Sequence, residues 1–140
     1  MEVRNFVTFG ANFSQEYREM DGEEVPPGRD LALSIMKGLR RCKVPCSDLD
    51  QHDSYGWCFD VSVSNAKVSC MVQLSDEWLM IIEPVVSLFG RIFKKETGSD
   101  SLRLVCEQVN KVIRGDERFH RFRWYTRKEL EGQSEGYESP

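Results

Sequence analysis

Apolar positions recur along this chain with two different periods, and the changes between them divide it into elements. In residues 3–13, Val3, Asn5, Val7 and Phe9 share one parity and Phe6 and Thr8 the other, a β-branched and aromatic mixture that predicts a first strand. Residues 14–24 lose the apolar period and turn acidic, with Glu16, Glu19, Asp21, Glu23 and Glu24 around Gly22, and they read as a surface loop. Pro26-Pro27-Gly28 then starts a helix, because proline is tolerated where the first helical amides have no partner. Leu31, Ala32, Ile35, Met36 and Leu39 make its buried stripe, Lys37, Arg40 and Arg41 face away, and Pro45 bounds its end.

Three strands follow. Tyr55, Trp57, Phe59, Val61 and Val63 alternate with Gly56, Cys58, Asp60 and Ser62, and Val68, Cys70, Val72 and Leu74 alternate with Lys67, Ser69, Met71 and Gln73. Trp78-Leu79-Met80-Ile81-Ile82 is apolar on both parities, which suits a central or doubly covered strand. Ser64-Asn65 and Ser75-Asp76 sit where hairpin turns are needed, so an antiparallel meander is expected. Residues 85–93 read as a helical turn or covered loop. A second helix carries Leu102, Val105, Cys106, Val109, Val112 and Ile113, with Ser99 and Asp100 as N-cap candidates and Gly115 as its stop. In the last strand, residues 118–126, strict alternation puts Phe122 and Trp124 on one face and Phe119, Arg121, Arg123 and Tyr125 on the other. Residues 131–140, with Gly132, Ser134, Gly136 and Ser139, are expected to be a disordered tail. The order β-α-β-β-β-α-β over residues 1–130 predicts a single α+β domain, a two-layer sandwich with both helices on one face of a mainly antiparallel sheet.

Composition narrows the function classes. The 140 residues are 40% hydrophobic and 30% charged, enough for a core and a solvated surface. A net charge of -4 disfavours general attraction to nucleic acid or anionic lipid. No apolar run approaches the ~20 residues of a membrane helix, and the first residues lack the basic-then-apolar order of a secretory signal, so a cytoplasmic protein is expected. Five cysteines, an odd number in apolar settings, read as reduced thiols. The two histidines, His52 and His120, have no ligand-spaced companions, so neither metal nor cofactor is expected. Phosphate-cradling glycine motifs are absent.

Candidate chemistry is correspondingly thin. His52 with Cys58, or His120 with Cys106, could pair base and nucleophile, but small apolar cysteines of the core explain the same residues. Asp50 with Asp53, and Asp76 with Glu77, read as turn residues rather than acid/base pairs. Trp57 and Trp78 at strand spacing read as core. The stretch from Arg118 to Lys128 interleaves cations with aromatics, which suits a charge-guarded edge strand or a protein-binding face better than a nucleic-acid site in so acidic a chain.

The proline-glycine helix start, Tyr55-Gly56-Trp57 and Arg123-Trp124-Tyr125 resemble features of small uncharacterised bacterial α+β proteins. In size, acidity and pattern the chain also resembles immunity proteins of bacterial toxin systems. That resemblance implies a non-enzymatic cytoplasmic module that binds one protein partner, a toxin. The residues expected to bind are Glu19, Asp21 and Glu23 of the acidic segment, together with Tyr55, Trp57, Arg121, Arg123 and Tyr125. The rival expectation is a small enzyme or ligand-binding domain with a pocket near His52, Tyr55 and Trp57.

Overall fold

The computed structural model describes residues 2–85, 95–132 and 134–140. The expected helical turn or covered loop at 85–93 falls, apart from Val85, outside the described residues. The elements are β1 (Phe6–Ala11), β2 (Arg18–Met20), β3 (Glu23–Val25), α1 (Arg29–Arg41), β4 (Asp50–His52), β5 (Gly56–Val63), β6 (Ala66–Leu74), β7 (Trp78–Pro84), α2 (Lys95–Arg114), β8 (Phe119–Tyr125) and α3 (Arg127–Glu131).

Six strands form one antiparallel sheet in the order β4-β5-β6-β7-β1-β8. The expected meander is its centre. At the β5–β6 turn Ser64 and Asn65 both adopt positive φ, 49° and 63°, the two-residue geometry whose twist matches the flanking strands. The first strand of the chain does not stay at an edge. It inserts between β7 and β8, so β7 is a central strand, hydrogen-bonded to β6 on one side and to β1 on the other.

One face of the sheet carries the core. Trp57, Phe59 and Val61 of β5, Val68, Cys70 and Val72 of β6, Trp78, Met80 and Ile82 of β7, and Val7 and Phe9 of β1 are buried there. Leu31, Ile35, Met36 and Leu39 of α1, with Val105, Cys106, Val109 and Ile113 of α2, cover them. The sequence is thus an α+β sandwich with both main helices on one side. Gly38 is required where α1 meets α2, because a Cβ there would overlap the Val112 side chain.

Four expectations need correction. Residues 18–25 are a hairpin, not an irregular loop. Ser99 and Asp100 lie inside α2, which already begins at Lys95; the apolar period sets in only at Leu102, so the polar first turns carry no pattern to read. Strict alternation in β8 also fails. Arg121 sits at φ 57° where the β1–β8 register shifts between Thr8 and Gly10, and this bulge inserts one residue. Phe119 therefore joins Phe122 and Trp124 on the helix-covered side: it is 5% exposed and meets Phe9 edge-on, ring centroids 5.5 Å apart.

The fourth correction concerns the tail. Tyr137 and Trp124 exchange backbone hydrogen bonds of 2.6 and 2.9 Å, so the chain returns to the outer edge of β8 and satisfies amide groups that an edge strand leaves open. The Arg4 guanidinium lies 3.5 Å from the Tyr137 ring centroid, and Arg114 donates to the Glu138 carbonyl. Between β8 and this return, Thr126 and Glu129 cap α3 reciprocally, the Thr-x-x-Glu arrangement of a capping box.

Candidate protein-binding surfaces

The acidic segment is an arm. Arg18 pairs with Val25, Glu19 with Glu24 and Met20 with Glu23, and the turn between them is Asp21-Gly22 with φ 54° and 80°. Asp-Gly in that conformation is one of the residue pairs that two-residue hairpin turns favour, and Gly22 takes the left-handed position at no steric cost. The pairing sorts the acids by face. Glu19 and Glu24 stand opposite one another on one face, while Glu23 shares the other with Met20, Arg18 and Val25. Arg18, Met20 and Val25 line a shallow cleft of about 140 Å³ with Phe13, Pro27 and Leu31, so this second face turns toward the start of α1. Glu19 and Glu24 consequently face outward, and of the expected trio only Glu19 and the turn residue Asp21 stand on or beside that outer face.

The arm is tied at its base. The Gln51 side-chain amide donates to the Glu24 carbonyl at 3.1 Å and to the Asp53 carbonyl at 2.7 Å, which couples the hairpin to β4. Above that base Tyr17 is 49% and Met20 62% exposed, unusual values for large apolar side chains. The ion pairs of the described residues join Arg4 to Glu129, Arg118 to Asp116, Arg123 to Glu138 and Arg127 to Glu83. None of them neutralises Glu19, Asp21, Glu23 or Glu24.

His52, Tyr55 and Trp57 do not converge on a pocket. Trp57 is buried on the helix-covered face, where its indole N–H donates to the Pro26 carbonyl at 3.0 Å. His52 and Tyr55 border the β4–β5 turn, their rings 6.4 Å apart, and Tyr55 is 65% exposed. Neither cysteine of the two expected base–nucleophile pairs, Cys58 or Cys106, is an activated thiolate. Burial pushes Cys106 up to about 12 and Cys70 well above the ordinary thiol range. Cys58 is raised too, first by burial and then by the carboxylates of Asp50 and Asp60. His120 is exposed on the far side of the sheet from Cys106. All five cysteines are free of disulfides.

The sheet face opposite the helices carries a second surface. Strand register aligns Asp50, Cys58, Met71, Ile81, Phe6 and Tyr125 in one row across all six strands. The next row runs from His52 through Gln73 and Leu79 to Thr8 and Arg123. Met71, Leu79 and Ile81 are half-buried by their neighbours alone. Arg127 lies 5.3 Å from the Phe6 ring centroid and pairs with Glu83 at 2.8 Å. The side chains of His120 and Arg121 lie over Gly10, with the Arg121 Nε donating to His120 Nδ1 at 3.3 Å. Arg121, Arg123 and Tyr125 thus share the open face, as expected, without Phe119.

Fold and surfaces together define an α+β sandwich with an acidic arm and an open, charge-bordered sheet face. No family model, curated protein or solved structure matches this chain. Among the described residues no helix is long and apolar enough to cross a membrane, and no three His, Cys, Asp or Glu side chains gather as a metal site.

Proposed function

We propose that this chain is a non-enzymatic protein-binding module whose β2–β3 arm docks on a basic surface of another protein. The observation that carries the reading is the Glu19–Glu24 pair. Like charges directly opposite on paired strands destabilise the hairpin that bears them, so this face is arranged against the arm's own stability. A basic partner reverses that penalty, and the exposed Tyr17 just before β2 adds apolar contact. An immunity-like inhibitor that occupies the basic active site of a toxin is the particular form we favour, acting in the cytoplasm with its thiols reduced.

Co-purification of tagged chain from its source cells, beside a Glu19→Lys/Glu24→Lys variant, tests the reading. A basic protein held stoichiometrically by the first and lost by the second is the expected result. Equal retention by both removes the arm from the interface and overturns the reading.

A further inference from the structure

The bulge in β8 holds its backbone in a conformation that the core does not need. Among the described residues six other than glycine adopt positive φ, and five of them, Asp21, Lys43, Asp53, Ser64 and Asn65, sit in turns or just past a helix, where that conformation is ordinary. Arg121 is the sixth, at φ 57° inside a strand. A residue with a Cβ pays for this region of backbone space, and a bulge is a means of re-aiming side chains. Here it brings Arg121 over the open face of the sheet, beside His120.

Both side chains depend on Gly10, which lies across from His120 in the register. A Cβ there would overlap the His120 ring and lie 2.9 Å from the Arg121 Nη2, so the imidazole and the guanidinium occupy a notch that β1 leaves for them. The Arg121 Nε donates to the His120 Nδ1 at 3.3 Å. That bond makes Nδ1 the acceptor and leaves the proton of the neutral ring on Nε2. What the pair still has to offer is therefore donors only: the Nη groups of Arg121 and the Nε2–H of His120. No acid answers them. The four ion pairs among the described residues use neither Arg121 nor Glu77, which precedes Trp78, the partner of Phe9. Arg123, on the same face, meets Glu138 only at 3.9 Å, and that glutamate is 84% exposed. Opposite Arg123, the Thr8 hydroxyl is closed to solvent and has no hydrogen-bond partner.

We propose that this notch binds a phosphate monoester group, the doubly charged end of a small phosphorylated molecule. A cluster that holds only donors recognises a group that holds only acceptors, and the guanidinium fork matches two oxygens of such a group. A carboxylate would be satisfied by the fork alone. A phosphate monoester brings a third terminal oxygen for the His120 Nε2–H and a second charge for Arg123, whose loose surface pair with Glu138 contributes little and is readily exchanged. An edge strand guarded by charge needs cations, but it needs neither the strained bulge nor the glycine opposite it. In a chain of net charge -4 the attraction is local, so affinity for a bare phosphate group is expected in the millimolar range.

NMR titration of the full chain at one ionic strength, above the second ionisation of a phosphate monoester, tests the proposal with three probes. Methyl phosphate is the monoester, dimethyl phosphate the singly charged diester found in nucleic-acid backbones, and acetate the carboxylate. Methyl phosphate should give saturable shifts centred on Gly10, His120 and Arg121, with an affinity about tenfold or more above either control. Arg121→Gln should weaken it about tenfold, and Arg121→Lys nearly as much, because an ammonium keeps the charge and lacks the fork. Arg121→Gly separates ligand binding from folding. Glycine takes the positive φ without penalty, so this variant should melt no lower than wild type and bind no better than Arg121→Gln. The comparison of probes on wild type needs no variant: the absence of a saturable response, shifts spread over the exposed arginines at large, or equal affinity for all three probes overturns the proposal. An Arg121→Gln variant that binds as wild type does overturns it too. So does an Arg121→Gly variant that melts well below wild type, since the fold and not a ligand would then account for the arginine.

Discussion

The two faces of one sheet contrast in what their side chains are for. On the helix-covered face the strands of the centre present Trp57, Phe59, Val61, Val72, Trp78 and Met80, nearly all without solvent contact. On the other, the same strands present Cys58, Asp60, Met71, Gln73, Leu79 and Ile81, which only their neighbours shield. Pleating alone guarantees that alternate residues go to opposite faces; it does not decide that one face is packed. The decision comes from α1 and α2, whose apolar stripes can be buried in one place only. The residues that they leave behind are free to carry charge and to be selected for contact with something else.

The sharpest measure of that contrast uses one residue type in two places. Met80 of β7 and Met71 of β6 sit diagonally across one strand pair, Met80 facing the helices and Met71 the open side. Met80→Ala should cost about 2–5 kcal/mol, the transfer term plus a cavity that α1 and α2 cannot collapse. Met71→Ala should cost no more than about 1 kcal/mol, since water already reaches the side chain. Chemical denaturation of both variants gives the difference. Equal costs would mean that the open face is packed, and the distinction between the faces would fail.

Much of this contrast was legible in the sequence. The stripe from Leu31 to Leu39 and the one from Leu102 to Ile113 state that two helices bury one face each, and the alternation in residues 55–74 states which strand residues they bury. What was not legible was local and short. β4 has three residues and β2 and β3 three each, too few for a period to rise above chance. The Asp21-Gly22 pair was a readable hairpin signal, overshadowed by the density of acid around it. The bulge at Arg121 had no such signal, because arginine rarely adopts positive φ and nothing in its neighbours announces it. A single inserted residue then reverses the facing of everything before it, so strict alternation assigns Phe119 to the open face although the strand buries it under the helices. Of the candidate site, Arg121, Arg123 and Tyr125 were placed together correctly, whereas Trp57 proved to be core and Glu23 to face away from Glu19.

The tail tests a milder form of the same contrast, at the edge of the sheet rather than on its faces. Removing residues 133–140 deletes the paired hydrogen bonds between Trp124 and Tyr137 and the stacking of Arg4 on Tyr137. Each bond contributes about 0.5–1.5 kcal/mol and the cation–π contact a similar amount, part of it offset by the entropy of ordering the segment. A chain ending at Gly132 should therefore lose about 1 kcal/mol, read as a lower melting temperature, and its Trp124 amide should exchange faster. Unchanged protection at Trp124 would show that the tail does not pair with β8 in solution.

The smallest effect belongs to the arm, where the sign is more informative than the size. Glu19 and Glu24 face one another across β2 and β3, and the hairpin has only three rungs to hold them. Changing Glu19→Lys replaces a repulsive cross-strand pair with an attractive one, which is worth roughly 0.2–1 kcal/mol in favour of the hairpin. Because both side chains are exposed, water and salt screen most of this, and the global melting temperature should stay level or rise slightly. The local expectation is firmer: amide exchange in residues 18–25 should slow at low salt and converge with wild type as salt rises. An arm kept for binding is then more ordered after a substitution that harms its binding, which is the stability–function trade expected of a contact surface. A fall of about 1 kcal/mol or more in global stability would instead show that Glu19 holds the fold together, and the acidic face of the arm would become a structural feature.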